Sequence, residues 1–160
     1  MMILKEIDMI DFDTFKIVIN SVPLVSIDFI IKNNNGKILL GQRINKPANG
    51  YLFTIGGRIY KNERLEDAKS RILLDEIGLN LRELKPRFLG VFEHFYTDSF
   101  VSDNISTHYI NLAYEIIIKN IENLPKKQHS DYVWLSIDEL MNSSIVHKYV
   151  KNYFNICKEN

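Results

Sequence analysis

The segment from Ile55 to Asn80, IGGRIYKNERLEDAKSRILLDEIGLN, constrains the fold of this chain more tightly than the rest of the sequence. It begins at the end of the apolar run YLFTI, which is typical of a strand, and continues with two glycines. The residues from Asn62 to Ile77 have helical spacing, and Gly78 is the expected end of the helix. The segment therefore predicts a strand, a glycine turn and an acid-bearing helix in direct succession.

The predicted helix carries a carboxylate on its apolar stripe. At about 100° per residue, Leu65, Ala68 and Ile72 share the face that should pack on a sheet. Glu76 follows Ile72 by one turn and lies on the same stripe. A buried carboxylate needs a metal ion, an arginine or water, because an unpaired buried charge is strongly unfavourable. Taken alone, Glu76 could equally pair with a basic residue or face solvent at the end of the helix.

The composition predicts one globular domain. The chain has 160 residues, 46% of them hydrophobic, and its 20 basic residues balance its 20 acidic ones. This balance leaves no positive field to gather nucleic acid or an anionic membrane. The single cysteine, Cys157, has no partner for an internal disulfide. The start of the chain is interrupted by acids, unlike a signal peptide, and we expect a cytoplasmic protein.

The remaining apolar runs predict a mixed β-sheet with helices on its faces, an α/β fold. The predicted strands are LVSIDFIIK, KILLGQR, YLFTI, RFLGVFEHFY, THYINLAYEIIIK and DYVWLS. Residues 1–22 are an N-terminal helical segment in which Phe12 and Phe15 are expected in the core, with base stacking as the alternative. Ser136 and Glu139 have the spacing of a capping box at the start of a short helix. A last helix is expected in SIVHKYVKNYFNICK.

Six positions within residues 57–79 have the spacing of the Nudix box: Gly57, Glu63, Arg71, Glu76, Gly78 and Leu79. The chain therefore resembles a Nudix hydrolase, which implies an α/β/α sandwich acting on a nucleoside diphosphate linked to another group. Two positions depart from the box. Ile72 stands where a glutamate follows the arginine, and Asp75 replaces the first of the paired glutamates. Fewer carboxylates imply fewer bound metal ions.

The flanking segments are similar to those of the GDP-mannose mannosyl hydrolase branch, whose box is thinned in the same way. They are PLVSIDFII, LLGQRINKPANGYLFTIGGRIYK, HFYTDSF, STHYINL and KQHSDYVWL. The resemblance implies hydrolysis of GDP-mannose, or a related GDP-hexose, to GDP and free sugar. It further implies that water attacks the anomeric carbon with inversion, that one Mg²⁺ (or Mn²⁺) binds the diphosphate, and that the protein is a homodimer.

The same resemblance assigns roles to individual residues. It implies His129 as the general base, with Arg58 and Arg71 as the catalytic arginines that neutralise the diphosphate. The implied metal ligands are Glu76, Gln128 and the carbonyl group of Gly56, and the implied substrate contacts are Asp28, Arg43, His94 and Tyr109. Without the resemblance, each has an ordinary structural explanation; Arg71, for example, could pair with Asp75 one turn later.

Two other functions stay open at this point. An ordinary Nudix pyrophosphohydrolase would use Asp75 to hold a second metal ion and would direct water at phosphorus. A non-catalytic Nudix module would bind a nucleotide sugar without cleaving it. Glu76, Gln128 and His129 together favour an enzyme, and the residues alone leave the preferred sugar undetermined.

Overall fold

The computed structural model describes residues 10–119 and 129–155, and at His129 it describes the backbone alone. The helices are α1 (Phe12–Ser21), α2 (Leu65–Ile77), α3 (Ile137–Asn142) and α4 (Lys148–Asn155). The strands are β1 (Leu24–Asn33), β2 (Ile38–Arg43), β3 (Leu52–Phe53), β4 (Ile55–Arg58), β5 (Arg87–Tyr96), β6 (Thr107–Ile118) and β7 (His129–Leu135). A 3₁₀ turn, Leu81–Glu83, lies between α2 and β5. The expected run of elements is therefore present.

The described strands form one mixed sheet around β1. Strand β1 pairs in parallel with β6 from Leu24 to Asn33, and antiparallel with β2 and β4 on its other side. Strand β5 is antiparallel to β6 at one edge, and β7 is antiparallel to β2. The pairing between β1 and β4 places Asp28 directly opposite Gly56. It thereby joins the first strand of the sheet to the start of the Nudix box.

The helices pack on opposite faces of this sheet, which confirms the predicted α/β/α sandwich. On one face, Ile27 and Phe29 of β1 pack with Ile72 and Leu73 of α2. On the other, Ile30 of β1 joins a core that includes side chains of α3 and α4. This alternation follows from the two-residue period of a strand. Burial of each large apolar side chain contributes roughly 1.5–3 kcal/mol.

Helix α2 begins three residues later than its spacing predicts, at Leu65 and not at Asn62. Asn62 has a left-handed φ of 65°, and the Tyr60 N–H donates to the Glu63 carboxylate, so residues 60–63 form a turn. Leu65 consequently falls in the first helical turn and is 42% exposed, so its assignment to the buried stripe is wrong. The assignments of Ala68 and Ile72 are confirmed, and Gly78, at φ 70°, ends the helix as expected.

Gly56 and Gly57 lie inside strand β4 and do not form the expected turn. Strand β4 continues through them to Arg58, because its pairing with β1 extends to the Ser26–Arg58 pair. The turn comes afterwards, at residues 60–63. The glycines are therefore placed beside β1 and under α2, where the absence of a side chain matters.

The N-terminal helix and the capping box can also be compared with their predictions. Asp11 caps α1 by accepting from the Thr14 N–H at 2.9 Å. Phe12 is 56% exposed and Phe15 is only partly buried, so their placement in the core is wrong. The Ser136–Glu139 capping box is confirmed by reciprocal hydrogen bonds.

Within residues 10–119 and 129–155, the longest helix is α2 with 13 residues, and none is long and apolar enough to cross a membrane. Cys157 lies outside the described residues.

Candidate active site

A cleft of about 470 Å³ opens where β1, β4 and β6 meet the acid-bearing helix. Its wall includes eight of the ten predicted site residues: Asp28, Arg43, Gly56, Arg58, Arg71, Glu76, His94 and Tyr109. Gln128, a predicted metal ligand, lies outside the described residues. The backbone of His129 begins β7, opposite Arg43 of β2. Eight predicted residues, spread along the chain from position 28 to position 109, therefore lie around one cavity.

Arg71 is held by the box itself. Its Nε and Nη2 atoms donate to Glu63 Oε1 and Oε2 at 2.7 and 2.9 Å, and Nη2 also donates to the Arg58 carbonyl at 2.8 Å. Burial alone would raise the pKa of Glu63, but the bonds from Arg71 and the Tyr60 N–H hold it below its ordinary value. The ion-pair partner of Arg71 is Glu63 and not Asp75, and this pair fixes the loop between β4 and α2.

Arg58 is held by aromatic rings. Its guanidinium lies 4.1 Å from the centre of the Phe15 ring and 5.4 Å from that of Tyr60. The Tyr60 ring in turn contacts the Arg71 guanidinium at 4.0 Å. Four side chains thus alternate as ring and cation from α1 to α2, and all four line the cleft. Phe15 therefore acts on the site through Arg58.

The box carboxylates have separate environments. Glu63 is engaged by Arg71, whereas Glu76 is 6% exposed and lines the cleft beside the exposed Asp75. Over residues 10–119 and 129–155, no three His, Cys, Asp or Glu residues are grouped closely enough to hold a metal ion. Hard oxygen donors suit Mg²⁺, and Glu76 with neighbouring oxygen groups is such a donor set. Glu76 is therefore a candidate ligand for a divalent cation.

Ile72 fills the place of the missing glutamate. It is 1% exposed, and its Cγ1 lies 3.1 Å from where a Cβ on Gly57 would be. The side chain is thus packed between α2 and β4 and belongs to the core. Ile72 also lines the cleft, so the wall has an apolar side chain where the box has a glutamate.

Asp28 is at the centre of a buried polar network on the α4 face of β1. Its Oδ2 atom accepts from Asn111 Nδ2 at 2.8 Å, from Thr54 Oγ1 at 3.1 Å and, at short range, from the Tyr153 hydroxyl. Burial raises the pKa of Asp28, while these donors and Arg43 oppose the rise. Asp28 is 6% exposed and is therefore not an outward-facing surface residue of the strand.

Sequence reasoning missed three members of this network: Thr54, Asn111 and Tyr153. Two of them left a local signal. Asn111 follows Tyr109 by two residues on a strand, so the two side chains share a face. Tyr153 follows Tyr149 by one helical turn in α4. The patterns indicate shared faces but not the partner across the molecule.

His94 is buried in the same region. Its ring stacks on Tyr149 at 4.2 Å, and its Nε2 lies 3.3 Å from the Tyr153 hydroxyl. Burial, with a smaller effect of His147, lowers the pKa of His94 to about 3, so the imidazole is neutral at pH 7. A neutral ring at the cleft wall can exchange hydrogen bonds with an uncharged group but offers no cation for a diphosphate.

Arg43 of β2 and Tyr109 of β6 complete the wall of the cleft. The Nε atom of Arg43 is buried and makes no hydrogen bond to any described residue. Burial raises the pKa of Tyr109, so its hydroxyl stays protonated at neutral pH. Both side chains can donate hydrogen bonds to an anionic or hydroxylated ligand.

Comparison with known proteins identifies the family. Residues 22–154 match the NUDIX domain model, and the chain belongs to this family of hydrolases. It is 38% identical over 141 residues to the low-salt glycan biosynthesis protein Agl8 of Haloferax volcanii, covering 88% of this chain and 86% of that protein.

Solved structures show the same fold. The MutT protein of Methanosarcina mazei Go1 has a TM-score of 0.68 and 18% identity, covering 85% of this chain and 94% of its own. The NUDIX domain of Shewanella oneidensis NrtR, in complex with ADP ribose, has a TM-score of 0.63 and 16% identity, covering 86% and 88%. At these identities the likeness concerns the fold.

Proposed function

We propose that this protein hydrolyses a nucleotide sugar, GDP-mannose or a related GDP-hexose, to GDP and free sugar. The observation that carries the proposal is the core position of Ile72, tight against Gly57. Together with the commitment of Glu63 to Arg71, it leaves Glu76 and Asp75 as the box carboxylates that reach the cleft. Such a box suits departure of an intact diphosphate better than multi-metal attack on phosphorus.

The proposed metal ligands are Glu76, the Gly56 carbonyl and Gln128, for one Mg²⁺ with Mn²⁺ as a substitute. When bound, the cation neutralises charge on the departing diphosphate. Arg58, held between Phe15 and Tyr60, supplies a second positive charge with a preorganised orientation. Arg71 contributes to the same field while its hydrogen bonds to Glu63 hold the box loop in place.

The proposed general base is His129, which takes a proton from water as the water attacks the anomeric carbon. Its place at the start of β7, opposite Arg43, supports a location at the cleft. A base on the far side of the sugar from the leaving group inverts the configuration at that carbon. We assign the sugar contacts to Asp28 and His94, and assign Arg43 and Tyr109 to the region between sugar and diphosphate.

The Haloferax volcanii relative supports a sugar-linked substrate, because its name places it in glycan biosynthesis. The alignment with this relative covers 88% of this chain, including the strands that carry the proposed sugar contacts. We also propose a homodimer, which a native mass measurement tests directly.

Hydrolysis of GDP-mannose with Mg²⁺ in ¹⁸O-labelled water tests the reaction. We expect label in free mannose and none in GDP. Because the mannose of GDP-mannose is α-linked, inversion should release β-mannose, seen by rapid NMR of the anomeric proton. Label in GMP or in mannose phosphate would move the attack to phosphorus and contradict the proposal. Parallel reactions with GDP-glucose and ADP-ribose establish the substrate preference.

A pyrophosphohydrolase activity is the second candidate, favoured by Asp75. This carboxylate is exposed and lines the cleft next to Glu76, so a second cation bound between them is chemically reasonable. The labelled-water experiment separates the two reactions. An Asp75→Asn variant should then lose activity only if the second candidate is correct.

A further inference from the structure

Asp28 is tied to the last helix of the chain through a single side chain. Tyr153, 125 residues away in sequence, donates its hydroxyl to Asp28 Oδ2, and Asn111 Nδ2 lies 3.0 Å from the same hydroxyl oxygen. Tyr153 is 5% exposed, and its ring meets Phe92 of β5 edge to face at 4.7 Å. Because the Tyr153 ring packs against Phe92, its hydroxyl group has little freedom to move away from the Asp28 carboxylate.

The hydrogen bonds that the described residues make to the Asp28 carboxylate go to only one of its two oxygens. All three that the described residues make to it go to Oδ2, from Tyr153, Asn111 and Thr54. The other oxygen, Oδ1, lies so close to the Gly56 backbone that a Cβ there would overlap it. Both Asp28 and Gly56 line the cleft. The three donors thus hold Oδ1 beside Gly56 at the wall of the cleft.

We infer that Tyr153 is a positioning residue that holds Asp28 so that Oδ1 accepts a hydrogen bond from a hydroxyl group of the sugar. The inference rests on the proposed function and extends it to the part of the substrate that GDP lacks. A carboxylate has two acceptor oxygens and no donor, so an oriented Oδ1 distinguishes a hydroxyl from a group without a proton. The helix α4 therefore contributes to sugar recognition without reaching the ligand.

Among the described residues, five charged or titratable side chains lie around the Asp28 carboxylate. They are Arg43 of β2, His94 and Tyr96 of β5, Tyr109 of β6 and Tyr153 of α4. Of these, Tyr153 alone donates a hydrogen bond to the carboxylate. The others act on the carboxylate at longer range. Because the Tyr153 hydroxyl also lies 3.3 Å from His94 Nε2, Thr54→Val, which removes a different donor to Oδ2, separates an effect on Asp28 from one on His94.

The test compares Tyr153→Phe with Tyr149→Phe in the full-length protein. Tyr149 is one turn earlier in α4, is 8% exposed, and its hydroxyl bonds to the backbone of Phe95 and not to Asp28. Both changes remove one buried hydroxyl and keep the ring. The KM of GDP-mannose and the inhibition constant of GDP are measured for each, with thermal unfolding as the check on folding.

For Tyr153→Phe we expect the KM of GDP-mannose to rise at least about tenfold, the size of a hydrogen bond to a charged group. The inhibition constant of GDP should stay unchanged, and Tyr149→Phe should change neither constant. Monodeoxy GDP-mannose analogues give a second readout. Removal of one particular sugar hydroxyl should raise the KM of the wild type at least about tenfold. It should raise the KM of Tyr153→Phe much less, because the same hydrogen bond is already lost in that variant.

Equal changes for GDP and GDP-mannose, or the same loss in Tyr149→Phe, would overturn the inference. If Tyr153→Phe does not fold, Thr54→Val removes another Oδ2 donor and should show the same sugar-specific loss; its absence there also overturns the inference. If the wild type turns over GDP-mannose and both Tyr153→Phe and Tyr149→Phe have the same KM and GDP inhibition constant as the wild type, only the positioning role is refuted. A wild type without nucleotide-sugar turnover refutes the proposed function, and the inference with it.

Discussion

The guanidinium of Arg58 lies 4.1 Å from the centre of the Phe15 ring, so the N-terminal helix contacts the Nudix box directly. The contact explains why an apolar residue on a mostly exposed helix lines a polar cleft. A cation over an aromatic face is stabilised by about 0.5–1 kcal/mol at an exposed site and more when water is excluded. Arg58 is thereby oriented before any ligand arrives.

Replacing Phe15 with Leu should weaken diphosphate binding without unfolding the protein. The leucine keeps apolar volume but loses the ring face, so Arg58 gains freedom and the KM should rise about 2- to 5-fold. Steady-state kinetics with GDP-mannose check this. Phe12→Leu is the matched control, because Phe12 is on the same helix and 56% exposed. An unchanged KM in Phe15→Leu would show that the stack does not orient Arg58.

Replacing Glu63 with Gln should destabilise the fold in a pH-dependent way. Glu63 has a 4% exposed side chain and a pKa held below its ordinary 4.5. Such a group stabilises the folded state fully above its unfolded pKa, and the stabilisation is lost as the pH falls through the folded pKa. We expect a loss of about 1.5–3 kcal/mol at pH 7 that shrinks below pH 4.5, measured by urea unfolding.

The exposed Glu83 offers the control for that measurement. Glu83→Gln should change the unfolding free energy by less than about 0.5 kcal/mol at either pH. A difference between wild type and Glu63→Gln that stays constant down to low pH would contradict the ionic character of the Glu63–Arg71 pair.

Replacing Gly56 with Ala should damage the site more than the fold. A Cβ there would lie 2.5 Å from the Ile27 carbonyl oxygen and would also overlap Asp28 Oδ1. We expect a destabilisation of about 1–3 kcal/mol and a fall in kcat/KM of about 10²-fold, because Asp28 is displaced. Gly36→Ala, in the β1–β2 turn at φ 75° with open space around it, should cost stability alone. An unchanged kcat/KM in Gly56→Ala would contradict the predicted displacement of Asp28 by the added Cβ.

Restoring the box glutamate at Ile72 should fail to create a metal site. Ile72 is 1% exposed and lies tight against Gly57, so Ile72→Glu crowds and buries a carboxylate at the cleft wall, at a cost of about 3 kcal/mol or more. Chemical denaturation with and without Mg²⁺ measures this cost. Leu74→Glu on the same helix, at a 57% exposed position, should cost under about 0.5 kcal/mol. A stable Ile72→Glu variant that cleaves pyrophosphate would instead show that the core position is adaptable.

Replacing His129 with Gln should lower kcat by about 10²–10⁴-fold and leave GDP inhibition nearly unchanged, as expected for loss of a general base. Product formation from GDP-mannose and competition by GDP are the two measurements. His108→Gln is the matched control, since His108 stacks on Phe95 away from the cleft lining. Full turnover in His129→Gln would remove this residue from the mechanism.

The box spacing places Glu63 and Arg71 in one motif but does not predict that they form an ion pair. They lie eight residues apart, and the ion pair forms because the turn at residues 60–63 folds back onto α2. A left-handed residue at Asn62 is required for that turn. The spacing of side chains along a helix favours Asp75 as the partner of Arg71, and only the loop geometry changes this choice.

The family resemblance predicted eight residues of the cleft wall and missed Thr54 and Asn111. The amino-acid sequence by itself determined the order of strands and helices and the end of α2 at Gly78. These features depend on local periodicity, on the left-handed backbone of glycine and on the box spacing, all of which are visible along the chain. Only the tertiary structure decided that Ile72 fills the core against Gly57 and that Tyr153 meets Asp28. Those contacts join distant segments across the sheet, and packing of the two helical layers brings them together.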